Sequence, residues 1–375
     1  MARLVGGRGH QTLTGTDAES NTLYGDTDIT VYFYRGGSDT LLGGANSPGN
    51  LLIGDVGGSM YFSKGGRDAL TGGHTSTNTL FGDAGGSMTS SKGGNDTLTG
   101  GSISANDLYG DAAAMNLSKG GNDSVTGGGG STNILYGDAG TMTASVGGND
   151  TLSGIVGAIP QNTNLFFGDA RVMTSSLGGR DTLTGVSGGS RVTNQLYGDA
   201  ETMASSKGGN DTLTGGANAR SNTLHGDAHT MTSSSVGGND TLTGASSLLG
   251  NTLIGDASFG GDGVRGGDDR LVSAGSTSDQ MWGDFQEGVA TGGNDTFVFN
   301  FGNGTDFIHD FRKGEDRIEL DGISELLSFE ALNIQTVDTN NDSVVDSSLI
   351  NFGDSNSVTV FNVTNLSGSD FDFIA

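Results

Sequence analysis

A unit of about 28 residues recurs along most of this chain, and that periodicity leaves few folds open to it. One half of the unit reads Gly-Gly-Asn-Asp-Thr-Leu-Thr-Gly at Gly93 to Gly100. It recurs around Asp39, Asp68, Asp96, Asp123, Asp150, Asp181, Asp211, Asp240, Asp269 and Asp295, with a degenerate opening copy from His10 to Gly15. The other half reads Asn-Thr-Leu-Phe-Gly-Asp at Asn78 to Asp83, and its copies end at Asp26, Asp55, Asp83, Asp111, Asp138, Asp169, Asp199, Asp227, Asp256 and Asp284. Asp68 to Asp96 is 28 residues, Asp96 to Asp123 is 27 and Asp211 to Asp240 is 29. A unit this short cannot enclose a core alone, so the units must stack as coils of a solenoid.

Within each half, one apolar residue sits between small polar ones, from Leu23 and Leu41 to Leu253 and Leu271, with Val125 and Phe166 as variants. Each reads as the single inward side chain of a very short strand. No sustained 3.6-residue period occurs between residues 10 and 300, which argues against helix. The bounding glycines are expected to supply positive φ and close backbone approach at the turns. A methionine also recurs in phase with the coil, at Met60, Met88, Met115, Met142, Met173, Met203 and Met231, and reads as an internal stack on a third side. The coil is therefore either a flat two-sheet roll with an insert or a three-sided coil.

Composition narrows the class. The 375 residues include 70 Gly and only 2 Pro, which excludes collagen, and 33% hydrophobic against 16% charged residues is unlike a charge-swollen disordered chain. With no Cys, disulfides, thiolate metal sites and a Cys nucleophile are excluded. A net charge of -26 argues against nucleic acid and anionic membranes as partners and in favour of cations. Neither an N-terminal secretory signal nor a transmembrane segment is expected, since no apolar run is long enough.

The acidic anchors carry the chemistry. Coils of a parallel solenoid stack about 4.8 Å apart, so equivalent Asp residues become neighbours. Two carboxylates about 5 Å apart repel by roughly 3 kcal/mol at an effective dielectric of 20, and two ladders multiply that cost. Lys64, Lys92, Lys119 and Lys207 are too few to neutralise them. Hard oxygen ligands and flexible Gly carbonyls point to several Ca²⁺ ions, with the twenty Asp residues named above as candidate ligands. For any one Asp, capping of a local turn would explain as much. The Gly-Asp copies also suit an outward-pointing turn residue.

Gly-Gly-Asn-Asp-Thr-Leu-Thr-Gly resembles the repeats-in-toxin, or haemolysin-type, nonapeptide Gly-Gly-x-Gly-x-Asp-x-apolar-x. The resemblance covers about residues 6 to 300 and implies a right-handed parallel β-roll with Ca²⁺ in its turns, the carboxylates of Asp39 to Asp295 falling on the family's Asp ligand. Two nonapeptides per coil would give about 18 residues rather than 28, and Ser91-Lys92 stands where the first Gly pair belongs. Beyond residue 292 Gly falls and Phe rises, and Gly292 to Phe299 followed by Asp306 to Leu320 resembles the C-terminal domain of serralysin-type secreted proteins. The last residues, ending Asp370-Phe371-Asp372-Phe373-Ile374-Ala375, resemble an uncleaved signal for export by a type I secretion apparatus. Asp338 to Asp346 partly matches an EF-hand loop, but Ser343 replaces the required Gly and Leu349 the bidentate Glu, so a polar turn is expected.

The expected fold is all-β, a parallel β-roll or β-solenoid over residues 1–291, capped by a C-terminal β domain over residues 292–375. The five histidines never form His-Glu-x-x-His, and no Gly-x-Ser-x-Gly elbow or phosphate loop occurs, so no enzyme is expected. Before most Gly-Asp pairs stands a ring, at Tyr24, Phe81, Tyr109, Tyr136, Phe167, Tyr197, His225 and Trp282, expected to point outward and either stack on sugars or stack on itself. Thr97 and Thr99, Thr182 and Thr184, Thr212 and Thr214, and Thr241 and Thr243 form paired columns resembling those of ice-binding solenoids. The expected function is a secreted, extracellular Ca²⁺-binding protein that folds on binding Ca²⁺ outside the cell, in a surface, adhesive or matrix role, with cell-surface polysaccharide or matrix as partner. The alternatives are ice binding through the Thr columns and a non-catalytic module of a secreted enzyme.

Overall fold

Each coil contributes three strands, one for each segment that places an apolar side chain between polar neighbours. In one coil they are Thr77–Phe81, Ala84–Thr89 and Thr97–Thr99. The computed structural model describes residues 1–157, 162–275, 278–300, 302–322, 328–353 and 356–374. Equivalent strands of successive coils pair in parallel and in register, Leu80 with Leu108, Met88 with Met115 and Leu98 with Val125. They build three sheets of 15, 10 and 13 strands, so the coil is three-sided and the chain is a parallel β-solenoid. The first and third sheets continue past residue 292: Thr296–Asn300 pairs with Arg270–Val272, and Thr305–Ile308 pairs with Gln280–Trp282. An antiparallel pair, Asn333–Val337 and Ser347–Gly353, joins the end of the first sheet through Asn356–Val360.

The interior has two lobes. The first and third sheets face each other across a column of fully buried Leu, Val and Phe side chains, including Leu80, Leu98, Leu108 and Val125. The second sheet closes a separate core of Ala and Met, with Ala84, Met88, Ala112 and Met115 at its centre. Methionine thus fills the third side, as its phase predicts. Burying one such side chain contributes roughly 1.5–3 kcal/mol, repeated at every coil.

Glycine's role at the turns differs from expectation. At the corner after each Met strand the left-handed residue is not Gly but Phe62, Ser90, Leu117, Ala144 or Ser175, with φ between 47° and 51°. The next residue is a buried Ser whose hydroxyl accepts an amide from the preceding coil, as Ser91 Oγ does from Ser63 N at 3.1 Å. The motif glycines are needed for close approach instead. A Cβ on Gly82 would lie 1.8 Å from the Gly110 carbonyl oxygen, and one on Gly93 would lie 1.9 Å from Asp111 Oδ1.

The outer end of the leucine lobe is closed by a ladder of buried asparagines that the motif reading passed over. Asn78 Nδ2 donates to Asn106 Oδ1, Asn106 to Asn133 and Asn133 to Asn164, each at 2.9 Å. Asn78, Asn106 and Asn133 also bind the backbone of their own coils: Asn133 Oδ1 accepts from Gly128 N at 2.9 Å and its Nδ2 donates to Gly128 O at 3.1 Å. Every donor and acceptor is used, so this ladder closes without help. Asn133→Ala would remove these bonds and leave the buried Gly128 amide unpaired. It should lower stability by about 3 kcal/mol in denaturant unfolding. A loss under about 1 kcal/mol would show that the ladder contributes little.

A candidate metal column

The waist between the lobes is where the acidic motifs meet. Thr77–Phe81 ends in Gly82-Asp83, which turns the chain outward toward the Met lobe. The return passes through Gly93-Gly94-Asn95-Asp96 before Thr97–Thr99 begins. Both turns put their carboxylates in the waist, so the two Asp ladders form one column rather than two. Asp26, Asp39 and Asp55 place oxygens within 4.8 Å of one another, as do Asp55, Asp68 and Asp83; Asp83, Asp96 and Asp111; and Asp111, Asp123 and Asp138. The Gly-Asp residues, expected to suit an outward turn, are as buried as their partners. None of the twenty, from Asp26 and Asp39 through Asp284 and Asp295, is more than 5% exposed.

One oxygen of a typical rung is fixed by a backbone amide. Asp96 Oδ1 accepts from Asp68 N at 2.7 Å, Asp123 Oδ1 from Asp96 N at 2.6 Å, and Asp83 Oδ2 from Gly94 N at 2.8 Å. The second oxygen faces the waist. It is buried and has no hydrogen-bond partner in every rung except Asp169 and Asp284. Such an orphaned, buried carboxylate oxygen is costly unless a cation meets it. Gly carbonyls crowd the same space: the site of a Gly25 Cβ lies 1.6 Å from Gly54 O and 2.4 Å from Asp39 Oδ2. The donor set is all oxygen, anionic and carbonyl together, and suits a hard cation. The buried Asp clusters can therefore hold metal ions.

Electrostatics agrees with that reading. Burial pushes the carboxyls up, and neighbouring carboxylates push many of them further. Asp39 rises to about 6, Asp68 to about 8 and Asp295 to about 10. Asp83, Asp96, Asp111 and Asp150 stand well above the ordinary carboxylate range for the same reasons. Asp138 and Asp199 rise to about 6, raised by burial and held down in part by the Gly148 and Gly209 amides that donate to them.

The C-terminal end of the column is different, and the period gave little sign of it. Asp316 Oδ1 accepts from Asp295 N at 3.0 Å and so adds a rung, yet it follows Asp295 by only 21 residues. Asp310 accepts from Gly283 N at 2.8 Å and Asp284 N at 3.0 Å. Arg312 lies between these ends, with Nη2 2.8 Å from Asp284 Oδ2, 3.8 Å from Asp316 Oδ1 and 4.0 Å from Asp295 Oδ2. A guanidinium of the chain itself thus supplies positive charge at the last rungs.

Three other expectations can be placed. The ring column does not present its faces to a partner: Phe81, Tyr109, Tyr136, Phe167, Tyr197 and His225 stack on one another with centroids 4.5–5.2 Å apart. Phe81, Tyr136, Phe167, Tyr197 and His225 are buried. Burial holds His225 neutral, its value lowered to about 3. The Asp338–Asp346 segment is a polar turn whose carboxylates accept local amides, Asp338 from Asn341 and Ser343 and Asp342 from Val344. The paired Thr residues stand on the outer face of the third sheet, flanking the inward Leu.

Two outcomes follow. Carboxyls whose folded values are raised above 3.8 stabilise the metal-free fold fully below about pH 4 and lose that contribution as pH rises through their folded values. Metal-free protein should therefore melt at progressively lower temperature from about pH 4 to about pH 8, and divalent ions should restore it with release of protons, read by pH-stat titration. A flat profile would mean the column is not protonated without metal. Arg312→Gln, which leaves Asp284 Oδ2 without its cation, should destabilise the metal-free protein by about 2 kcal/mol, whereas a neutral outcome would show that the guanidinium does not hold the end rungs.

Compared with known proteins, the chain matches no protein-family model and no curated protein.

Proposed function

We propose that this protein is a secreted calcium-binding solenoid whose fold is completed by Ca²⁺, and that it serves a surface, adhesive or matrix role outside the cell. One observation carries the reading: a continuous buried column of carboxylates, most of them with an oxygen that meets no donor. Ca²⁺ takes six to eight oxygens in adaptable geometry, which suits mixed carboxylate and carbonyl donors. Mg²⁺ demands near-ideal octahedral geometry and gives up its waters reluctantly, so a site built from many protein oxygens favours Ca²⁺.

Ion binding would be coupled to folding, because the ligands of each site come from successive coils. At low Ca²⁺ the carboxylates oppose closure of the waist; at higher Ca²⁺ outside the cell each ion cancels two charges and stabilises the coil by mass action. The repeats-in-toxin resemblance of the motifs supports this order of events, as does the resemblance of the last residues to a type I secretion signal. The proposal is a non-enzymatic one, in keeping with a sequence that carries no His-Glu-x-x-His, Gly-x-Ser-x-Gly elbow or phosphate loop.

Circular dichroism tests it directly. In EGTA the β signal should be largely lost or its melting point sharply lowered, and Ca²⁺ should restore both with several ions bound per chain. Full β structure with an unchanged melting point in EGTA would end the proposal. For export, deleting the chain from Gly368 onward should abolish release from cells carrying a type I exporter, and undiminished release would remove that part. The in-register Thr rows on the third sheet favour ice binding as a second reading. Absence of thermal hysteresis in the Ca²⁺-loaded protein would eliminate it.

A further inference from the structure

The chain is strongly acidic, yet its few cations are not scattered. Four of its five lysines, Lys64, Lys92, Lys119 and Lys207, occupy one position of the coil, immediately before the Gly-Gly turn, and Arg35 and Arg265 occupy it too. Bridges in register connect Arg35 to Lys64, Lys64 to Lys92 and Lys92 to Lys119, so the backbones of these four residues stand in a straight row, about 4.8 Å apart from coil to coil. All four are exposed. None forms an ion pair among the described residues, although Arg3, Arg171, Arg270 and Arg312 do.

Arg35, Lys64 and Lys92 of this row form one bank of a trough of about 270 Å³. Its floor is the bare surface of successive Gly-Gly pairs: the Cβ direction of the first Gly points inward at the Asp column and that of the second at the Gly carbonyl of the preceding coil. The opposite bank is the residue after each pair, Arg67 and Asn95 here and Asn122 and Asn149 in the next two coils, all exposed. Neutralising the Asp column is not enough to explain the row. The same position holds Val146, Leu177, Val236 and Thr291 in coils whose Asp rungs are equally buried.

We infer that this trough binds an extended acidic polysaccharide lying along the solenoid axis. The cation bank meets its carboxylates, the amide bank exchanges hydrogen bonds with its hydroxyls, and the side-chain-free floor lets sugar rings lie against backbone. A coil repeat of about 4.8 Å gives one cation for each unit of an extended sugar chain. A bilayer presents a plane and cannot follow cations into a trough. A nucleic acid duplex does not set its phosphates in a straight row at this spacing. At physiological salt the Debye length is about 8 Å, so the acidic remainder of the protein is screened while contacts inside the trough are not. The site is independent of the metal proposal, since it lies on the outer side of the Gly-Gly wall.

Calorimetry on the full chain tests it, in Ca²⁺ and again in EGTA, with folding followed by circular dichroism. Hexagalacturonate should bind the folded protein, and its fully methyl-esterified form should not. Lys64→Glu with Lys92→Glu should weaken binding about tenfold or more, and Arg220→Glu, an exposed cation outside the trough, should leave it unchanged. Absence of binding to folded protein, equal binding by all variants, or tighter binding of a thymidylate oligomer would each overturn the inference. Folding and binding that persist in EGTA would defeat the calcium proposal and leave this one standing.

Discussion

The constraint on which everything else depends is the burial of like charges in one column. The twenty ladder carboxylates lie in a waist with almost no exposure, and most keep one oxygen without a donor. The size of the coil follows from this. A coil of two nonapeptides would be about 18 residues long and would end at its carboxylate turns. Here Ala84 to Lys92 loop beyond the turn, build a third strand and an Ala–Met core, and return, so the turn becomes an interior waist. The added segment is what converts surface acids into buried ones. It raises the cost of leaving them bare and, by the same step, the stabilisation an ion would bring.

The two ends of the leucine lobe show how much one atom type decides. At the far end an amide ladder repeats from Asn78 to Asn164, and each side chain is donor and acceptor at once, so the stack satisfies itself. At the waist the carboxylates can only accept, and no stack of acceptors satisfies itself. Where the amide ladder runs into acids, at Asp279 and Asp306, hydroxyl and amide donors from Ser273 and Asn303 are brought to meet them. The waist has no comparable supply except at its end, where Arg312 stands.

The parts that were legible in the sequence are those fixed by position along the coil. The period, the inward Leu and Met columns, the parallel stacking and the identity of the acidic rungs all follow from residues recurring at constant spacing. What the spacing does not contain is direction across the coil. Asp83 and Asp96 are 13 residues apart and read as two turns, and only the return of the chain beyond the Met strand brings them together. The rings at Tyr109 and Tyr136 alternate with the inward Leu, which argues for exposure, yet they stack on one another and Tyr136 is buried. The left-handed corners carry no sequence signal because they fall on Phe62, Ser90 and Leu117, residues that seldom mark such a turn. Arg312 and Asp316 lie where the period breaks, so repetition could not point to them.

Sharing of ligands sets how such a column would fill. Asp55 belongs to two of the compact triads, with Asp26 and Asp39 on one side and with Asp68 and Asp83 on the other; Asp83 and Asp111 are shared in the same way. An ion at one level therefore fixes a carboxylate that the next level also needs and removes part of the repulsion that opposes it. Each coil contacts only its neighbours, so the coupling passes from level to level as in a one-dimensional chain of interacting sites. Filling one level lowers the cost of the next, so half-filled columns would be sparsely populated beside empty and full ones. A solenoid held together in this way changes state over a narrow range of ion concentration even though no single site needs to bind tightly.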